Sequence, residues 1–304
     1  MIDEELPQVL AGDRLDRFVA MVAGVSRSEA AEWVAQGLIQ VDGRVVTTRS
    51  RRLSPGQRVQ GQVEAAGARA DLQPDPTVDF EVVFADDDLI VVDKPAGLVV
   101  HPGAGNPAGT LVQGLLARFP EVAVVGDPQR PGIVHRLDKG TSGLLLVARS
   151  PVAYAALVAQ LAEHQVSRGY QALVWGELDA DRGLVDAPIG RSARTRTRMT
   201  VSATGKQART RYEVLATYHD PVVVSRLECR LETGRTHQIR VHLAAIDHPV
   251  VGDARYGGAR ASLVVGRPWL HAAALELAHP VSGEPLSFHS ALPPELTEVL
   301  DRLS

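Results

Sequence analysis

The sequence predicts an α+β protein, with a small helix-and-hairpin module ahead of a larger domain rich in strands. Three observations predict it. Short apolar or alternating runs recur between residues 80 and 278, the signature of buried or half-buried strands. Helical spacing is confined to a few stretches between them. A segment at 62–77, rich in Ala, Gly, Pro and Asp and without apolar period, reads as a linker. The expected division is therefore 13–61, 62–77 and 78–304. A chain of 304 residues, 45% hydrophobic, is long enough for two cores.

In the module, Leu15, Phe18, Val19 and Val22 recur at helical spacing. Ser26-Arg27-Ser28-Glu29 has the form of a capping box, with Ser26 as N-cap and Glu29 reaching back. The helix it opens carries Ala30, Val34 and Leu38 on one side, and Gly37 stands near its end. Ile39-Gln40-Val41, Asp42-Gly43 and Arg44-Val45-Val46 spell a hairpin. Eight arginines fall in the module against five acids, among them Arg27, Arg49, Arg51 and Arg52. They read either as a solvated charged face or as a phosphate-binding one.

Strands are expected at 80–84 and 89–92, with a turn at Asp93-Lys94-Pro95-Ala96-Gly97 and the strand resuming at 98–100. The glycines of 103–109 do not make a nucleotide loop: their spacing is GxGxxxG, Pro107 interrupts it, and no GK[ST] follows. They read as a loop near a site. A helix is expected at 111–119. Ser150-Pro151 marks another helix start, with serine as cap and proline in the first turn, and Leu157 and Leu161 share a face. The run 170–175 alternates as a strand, where Tyr170 reads by default as a packed aromatic. Residues 191–211 hold seven basic side chains (Arg191, Arg194, Arg196, Arg198, Lys206, Arg209, Arg211) and no acid, a solvated loop or a phosphate-tracking surface. In 222–231, Leu227, Cys229 and Leu231 share one face. Thr236 is placed to cap a helix from 237 to 245, with His237 and Arg240 three apart on one side. A cation in the first turn opposes the helix dipole, so Arg240 needs an anionic partner, Asp138 or a phosphate. A strand at 269–278 and an amphipathic helix at 293–303 close the chain.

The chemistry concentrates in 133–148. An apolar run, 144–148, reads as a buried strand, and a polar loop before it sets Asp138 between Arg136 and Lys139. Gly140 and Gly143 let that loop turn tightly or approach a ligand. A carboxylate held by cations keeps its charge and can serve as nucleophile or base. The plainer reading is a turn aspartate in a salt bridge.

Composition excludes several classes. No apolar run approaches the 18 residues of a membrane span. The N-terminus is acidic and lacks the apolar core of a secretory signal, so the cytoplasm is the expected compartment. One cysteine, Cys229, makes neither an internal disulfide nor a cysteine metal site. The i, i+5 spacing of His237 and His242 does not set both rings on one helix face, and no acid completes a site with His248, so no metal is expected. Net charge is −4, against indiscriminate coating of nucleic acid, yet arginine outnumbers lysine 29 to 3, which suits planar phosphate recognition.

Taken together, the stretches at 135–144, 93–102, 168–172 and 231–242 resemble, in order, the motifs of RluA-type pseudouridine synthases. The run from His248 to Asp253, with Tyr256-Gly257, also fits. The stretch 13–61 resembles the S4 RNA-binding domain, through Arg14-Leu15-Asp16, residues 26–30 and residues 37–43. His101-Pro102-Gly103-Ala104-Gly105-Asn106 and the S4-like module point to the RluD-like branch, which modifies large-subunit ribosomal RNA. Gly140 stands where many members carry aspartate, and Arg168 where lysine is common. The resemblance implies a mixed, largely antiparallel sheet with flanking helices and a central cleft. It implies isomerisation of uridine to pseudouridine without metal or cofactor. It implies Asp138 as the acting carboxylate, Arg240 as its partner, and Tyr170 stacked on the base and able to take a proton. His135, Arg136, Arg235 and Ile239 would line the substrate site, with Arg27, Arg51, Arg52, Arg194 and Arg196 binding RNA. The expected partner is ribosomal RNA, transfer RNA being the alternative, and the expected form a monomer. Two rival readings are a non-catalytic RNA-binding protein and a glycosidase-like hydrolase. The second needs a facing carboxylate, and none has a comparable setting.

Overall fold

The computed structural model describes residues 2–304 apart from 8, 9, 11, 24, 26, 63–71, 104, 193, 196 and 197, and only the backbone at 27–29. The chain forms two compact units, Met1–Asp71 and Leu72–Ser304.

The first unit runs β1 (Ile2–Glu5), α1 (Leu15–Ala23), α2 (Arg27–Ala35), β2 (Gln40–Val41), β3 (Arg44–Val45) and β4 (Arg58–Gly61). The strands lie in the order β1-β4-β2-β3. The unit begins earlier than position 13 because β1 pairs antiparallel with β4 along its whole length. Leu15, Phe18 and Val19 of α1 pack with Ala30, Trp33 and Val34 of α2, burying the apolar stripe of each helix. Leu38 is not on that face: the helix has already ended, Gly37 has turned left-handed, and Leu38 is 41% exposed. Asp42 and Gly43 both have positive φ, the backbone a two-residue hairpin between β2 and β3 requires. The capping role of Ser26 falls outside the described residues.

The second unit is built on one nine-stranded sheet. Its elements are β5 (Glu81–Ala85), β6 (Leu89–Lys94), α3 (Leu111–Arg118), β7 (Ser142–Ala148), α4 (Pro151–Ala162), β8 (Ser167–Trp175), β9 (Arg182–Asp186), β10 (Ile189–Arg191), β11 (Met199–Val201), β12 (Arg209–Tyr218), β13 (Val224–Leu231), α5 (Gln238–Ala245), β14 (Leu270–Ala278), β15 (Pro285–His289) and α6 (Pro294–Leu300). The order is β5-β6-β7-β14-β8-β13-β12-β9, with β15 on β14, while β10 and β11 form a separate hairpin. Only β7 and β14 are parallel; the other pairs of this sheet are antiparallel. Alternation along the strands sends Ile90, Val92, Leu145 and Val147 into a core with α3 and α5. Leu89, Val91, Leu144 and Leu146 go into another with α4. Trp269, Leu173 and Trp175 pack with α6. β7 is buried on both faces, which is why it reads in sequence as an unbroken apolar run.

Ser150 caps α4 as expected, its hydroxyl accepting from the Ala153 N–H at 3.1 Å. The strand expected at 98–100 does not form. The carbonyls of Val99 and Val100 instead accept from the N–H groups of Leu111 and Val112, satisfying donors that the first turn of α3 leaves open. Leu72 packs against the main core and the Asp75 N–H bonds to the Gln113 carbonyl, so the end of the expected linker belongs to the second unit.

Candidate active site

The loop carrying Asp138 is braced from several sides. Its own turn closes with the Thr141 N–H on the Asp138 carbonyl at 3.0 Å. The Lys139 carbonyl accepts from the Gly97 N–H at 2.7 Å, and the Lys139 ammonium bonds Asn106 at 3.1 Å. Arg267 donates to the Gly140 carbonyl at 3.1 Å and to the Ser142 hydroxyl at 3.0 Å. Here the sequence, lacking an aspartate at 140, keeps the loop in place by a guanidinium on its backbone, and a Cβ at Gly140 would stand 3.0 Å from Pro268. Gly143 has a different role. Its φ is +111°, and a Cβ there would fall 2.2 Å from the Ala272 carbonyl, so glycine lets β7 and β14 meet.

The cations beside Asp138 in sequence do not hold it. Arg136 and Lys139 are exposed, whereas Arg240, 102 residues away on α5, donates to Asp138 at 2.9 Å. Neighbours along an extended loop point away from one another, so the ion pair is made across the fold. Arg240 also grips Asp253 in a two-pronged pair, 2.6 and 2.9 Å, and both residues are buried. Asp253 in turn accepts the N–H groups of Arg255 and Tyr256. The dipole argument for Arg240 thus finds two carboxylates where one was sought. The guanidinium stacks on the Tyr256 ring, 5.1 Å from its centre.

Helix α5 starts one residue later than expected. His237 is the N-cap, with φ 57°, and its side chain makes no capping bond. Thr236 does not cap because the left-handed turn at His237 lies between it and the helix. Gln238 steadies the turn in its place. Its side-chain oxygen accepts from the Arg235 N–H at 3.0 Å and from the Thr233 hydroxyl at 2.7 Å. The ring of His237 faces the cleft instead, with Nε2 3.8 Å from Asp138 and Nδ1 2.8 Å from the Tyr256 hydroxyl.

These groups open onto a cleft of about 360 Å³ lined by Asp138, Tyr170, Arg240, His237, Ile239 and Leu270, with Arg168, Arg136, Arg235 and His135 around them. Tyr170 sits on β8 between Cys229 and Ala272, and burial raises its hydroxyl pKa, so the phenol stays neutral at neutral pH. Cys229 behind it is likewise pushed up to about 12 by burial. His135 lines the cleft but spends Nε2 on the Leu146 N–H at 2.9 Å, leaving only its Nδ1 edge uncommitted among the described residues. Burial holds its pKa down to about 3. Beneath the loop, Lys94 is fully buried, donating to the Pro95 and Leu98 carbonyls at 2.9 Å each, and burial lowers its pKa to about 7 against the pull of Asp138.

The other histidines of the α5 region are structural. His242 bonds Thr210 and the Ala187 carbonyl, and His248 the Trp175 carbonyl. Among the RNA-binding candidates, Arg194 is exposed and lines a second cavity beside the β10–β11 hairpin, and Arg196 lies outside the described residues. In the first unit Arg52 is exposed and donates to the Gly12 carbonyl at 2.7 Å, Arg51 is half-buried, and the Arg27 side chain is not described. The basic run at 191–211 is less charged in space than in sequence. Arg209 pairs with Asp186 and Glu232, and Arg211 with Glu232. Sequence reasoning passed over His237 and Asp253 as site residues, and Tyr256 with them. The signal for Asp253 was the demand of Arg240 for counter-charge close to the start of α5; nothing comparable in the sequence pointed to His237 or Tyr256.

This geometry coincides with a known family. Residues 88–245 match the model of RNA pseudouridylate synthases. The chain belongs to the RNA pseudouridylate synthase family. Residues 13–59 match the S4 domain, so this synthase carries an RNA-binding module in its first unit. It is 40% identical to a protein of Bacillus subtilis (strain 168) named as an uncharacterized RNA pseudouridine synthase, over 99% of this chain and 98% of that one. It is 43% identical to the ribosomal large subunit pseudouridine synthase D of Nitrosomonas europaea, over 99% and 88%. The structure of human RNA pseudouridylate synthase domain containing 1 superposes with a TM-score of 0.59 at 28% identity, covering 75% of this chain and 90% of that one. The synthase is therefore an RNA-modifying isomerase with a mixed, largely antiparallel core. No helix among its described residues is long and apolar enough to cross a membrane.

Proposed function

We propose that the synthase isomerises uridines of large-subunit ribosomal RNA, with Asp138 acting on the glycosidic bond, Arg240 holding that carboxylate and Tyr170 lying against the base. The observation that carries the reading is the 2.9 Å pair between Asp138 and Arg240 inside a cleft that also contains the Tyr170 ring. The reaction breaks the bond from N1 to the sugar carbon, turns the base, joins C5 to the same carbon and moves the C5 hydrogen to solvent and a proton to N1. Every heavy atom stays within one nucleotide, so one carboxylate and a closed site suffice. A cleft of about 360 Å³ holds a single nucleoside, which must leave its stack to enter. Stacking on an aromatic ring returns about 1–3 kcal/mol of that cost. The buried, neutral phenol of Tyr170 suits a stacking face; it could take a proton only after losing its own, which burial opposes.

The ribosomal target is supported by the relative from Nitrosomonas europaea, whose name carries it and whose length this chain nearly spans. Transcripts of large-subunit rRNA, small-subunit rRNA and tRNA, incubated side by side with the protein and mapped for pseudouridine, test the substrate class. Product in the first alone supports the proposal, and product in tRNA alone refutes it. Asp138→Ala is expected to abolish product on any of them; an unchanged yield would remove Asp138 from the chemistry.

A further inference from the structure

We propose that His237 is a further residue of the reaction centre: a neutral imidazole, locked by Tyr256 with its hydrogen on Nε2, that donates this N–H to an oxygen of the ribose set beside Asp138. The proposal rests on the reading of Asp138 given above and adds a donor to it.

The lock follows from hydrogen accounting. Among the described residues, the Tyr256 hydroxyl meets two groups, the Met199 N–H at 3.1 Å and His237 Nδ1 at 2.8 Å. The backbone N–H only donates. Nδ1 is the one acceptor that the described residues offer the hydroxyl hydrogen, and an O–H donated there leaves the imidazole hydrogen on Nε2, the partner of one ring nitrogen fixing the state of the other. Nε2 points to the Asp138 carboxylate but stops 3.8 Å short, beyond hydrogen-bond distance. The other carboxylate oxygen is already held by Arg240. The cleft thus contains an oriented donor with no hydrogen-bond partner among the described residues, next to the atom that engages the sugar.

Two features show that the fold spends something to place this ring. His237 has left-handed φ, unfavourable for a residue with a Cβ. It also occupies the N-cap of α5 without capping it, and Gln238 steadies that turn instead. The charged groups around the imidazole come from each neighbouring element: Asp138 from the loop before β7, Arg240 from α5, and Asp253 and Arg255 from the loop after it. Arg198, from the β10–β11 hairpin, stacks on the far partner, Tyr256. The two acids and the two nearer arginines oppose one another, and burial decides for the neutral ring.

The test measures single-turnover release of tritium from C5 of uridine in a large-subunit rRNA transcript, and RNA affinity by filter binding, on the full-length protein. His237→Ala is expected to slow turnover about 10- to 100-fold with RNA affinity within about twofold. His237→Gln, whose amide N–H reaches the place of Nε2–H, is expected to regain most of that loss. Tyr256→Phe removes the lock and lets the hydrogen move to Nδ1. Its turnover is expected to fall by less than that of His237→Ala, because a freed imidazole still carries its hydrogen on Nε2 for part of the time. Turnover of His237→Ala within about threefold of wild type overturns the proposal, as does a folded His237→Gln no faster than His237→Ala. If His237→Ala fails to fold by circular dichroism, His237→Gln decides: turnover within about tenfold of wild type supports the proposal and a larger loss overturns it. Asp138→Asn separates the layers: full activity there sinks the parent reading, whereas an inactive Asp138→Asn beside a fully active His237→Ala sinks this proposal alone.

Discussion

Arg240 is held by two acids, and they are not equivalent. Asp138 is partly open to the cleft, while Asp253 is sealed behind the guanidinium at 1% side-chain exposure and takes both of its prongs. Removing Asp253 leaves a buried cation with one partner, a change that typically costs about 3–5 kcal/mol. Asp253→Ala is therefore expected to lower stability in urea by that amount and to reduce turnover as Arg240 drifts from Asp138; an unchanged midpoint would show that Asp138 alone holds the guanidinium. His135 gives a prediction in pH. Its folded pKa lies near 3 against 6.5 for an unburied histidine. Between these values the unfolded chain binds the extra proton and the folded one does not, so stability falls as pH drops from 6.5 towards 3. His135→Gln keeps an acceptor for the Leu146 N–H but does not titrate in this range. Urea titrations at about pH 7 and about pH 4 are expected to show a smaller acid loss in the variant, and equal losses would place the acid sensitivity elsewhere.

At the scale of elements, the site depends on one seam. β7 brings the Asp138 loop, β14 joins it in parallel, and β8 carries Tyr170 on the far side of β14. The seam closes because Gly143 presents no Cβ to Ala272. Gly143→Ala forces both a positive-φ alanine and an overlap with backbone, and is expected to destabilise by about 3 kcal/mol or more. A denaturation midpoint within error of wild type would mean that the two strands part without loss. The β10–β11 hairpin meets the site through Tyr256, which has the Arg198 guanidinium on its ring, Arg240 against the same ring and the Met199 N–H on its hydroxyl. A surface arm is thereby fastened to the ring on which Arg240, the partner of Asp138, is stacked.

At the scale of the molecule, the net charge of −4 is an average over uneven parts. Arg14, Arg17 and Arg58 of the first unit are tied to acids of the same unit, which leaves Arg44, Arg49 and Arg52 among its exposed cations. Binding phosphates releases counterions, so affinity falls with salt in proportion to the number of phosphates neutralised. Alanine at Arg27, Arg51 and Arg52 together is expected to weaken RNA binding and to flatten the salt dependence by about one unit of slope for each phosphate no longer neutralised. Affinity and slope that both stay put would take the S4 unit out of phosphate recognition.

How far each feature could be read in the sequence follows from the range of the interaction behind it. The helix stripes of α1 and α2, the Asp42-Gly43 hairpin, the serine cap of α4 and the double-sided burial of β7 depend on residues a few positions apart, and each was legible. The strand at 98–100 was misread because its carbonyls serve α3, a demand made by a neighbouring element and not by local pattern. The start of α5 was misread because Gln238 and not Thr236 satisfies the backbone there. Motif order named Asp138, Tyr170 and Arg240, and the dipole of α5 required that Arg240 have an anion. The pair of Arg240 with Asp138 was among those expected; what the linear order withheld was that the flanking cations take no part and that Asp253 shares the guanidinium. Arg136 and Lys139 flank Asp138 yet are exposed, while Arg240 reaches it from 102 residues on. Chain proximity sets local backbone form; opposite charges find each other only after the sheet has closed, because an ion pair is decided by distance through space.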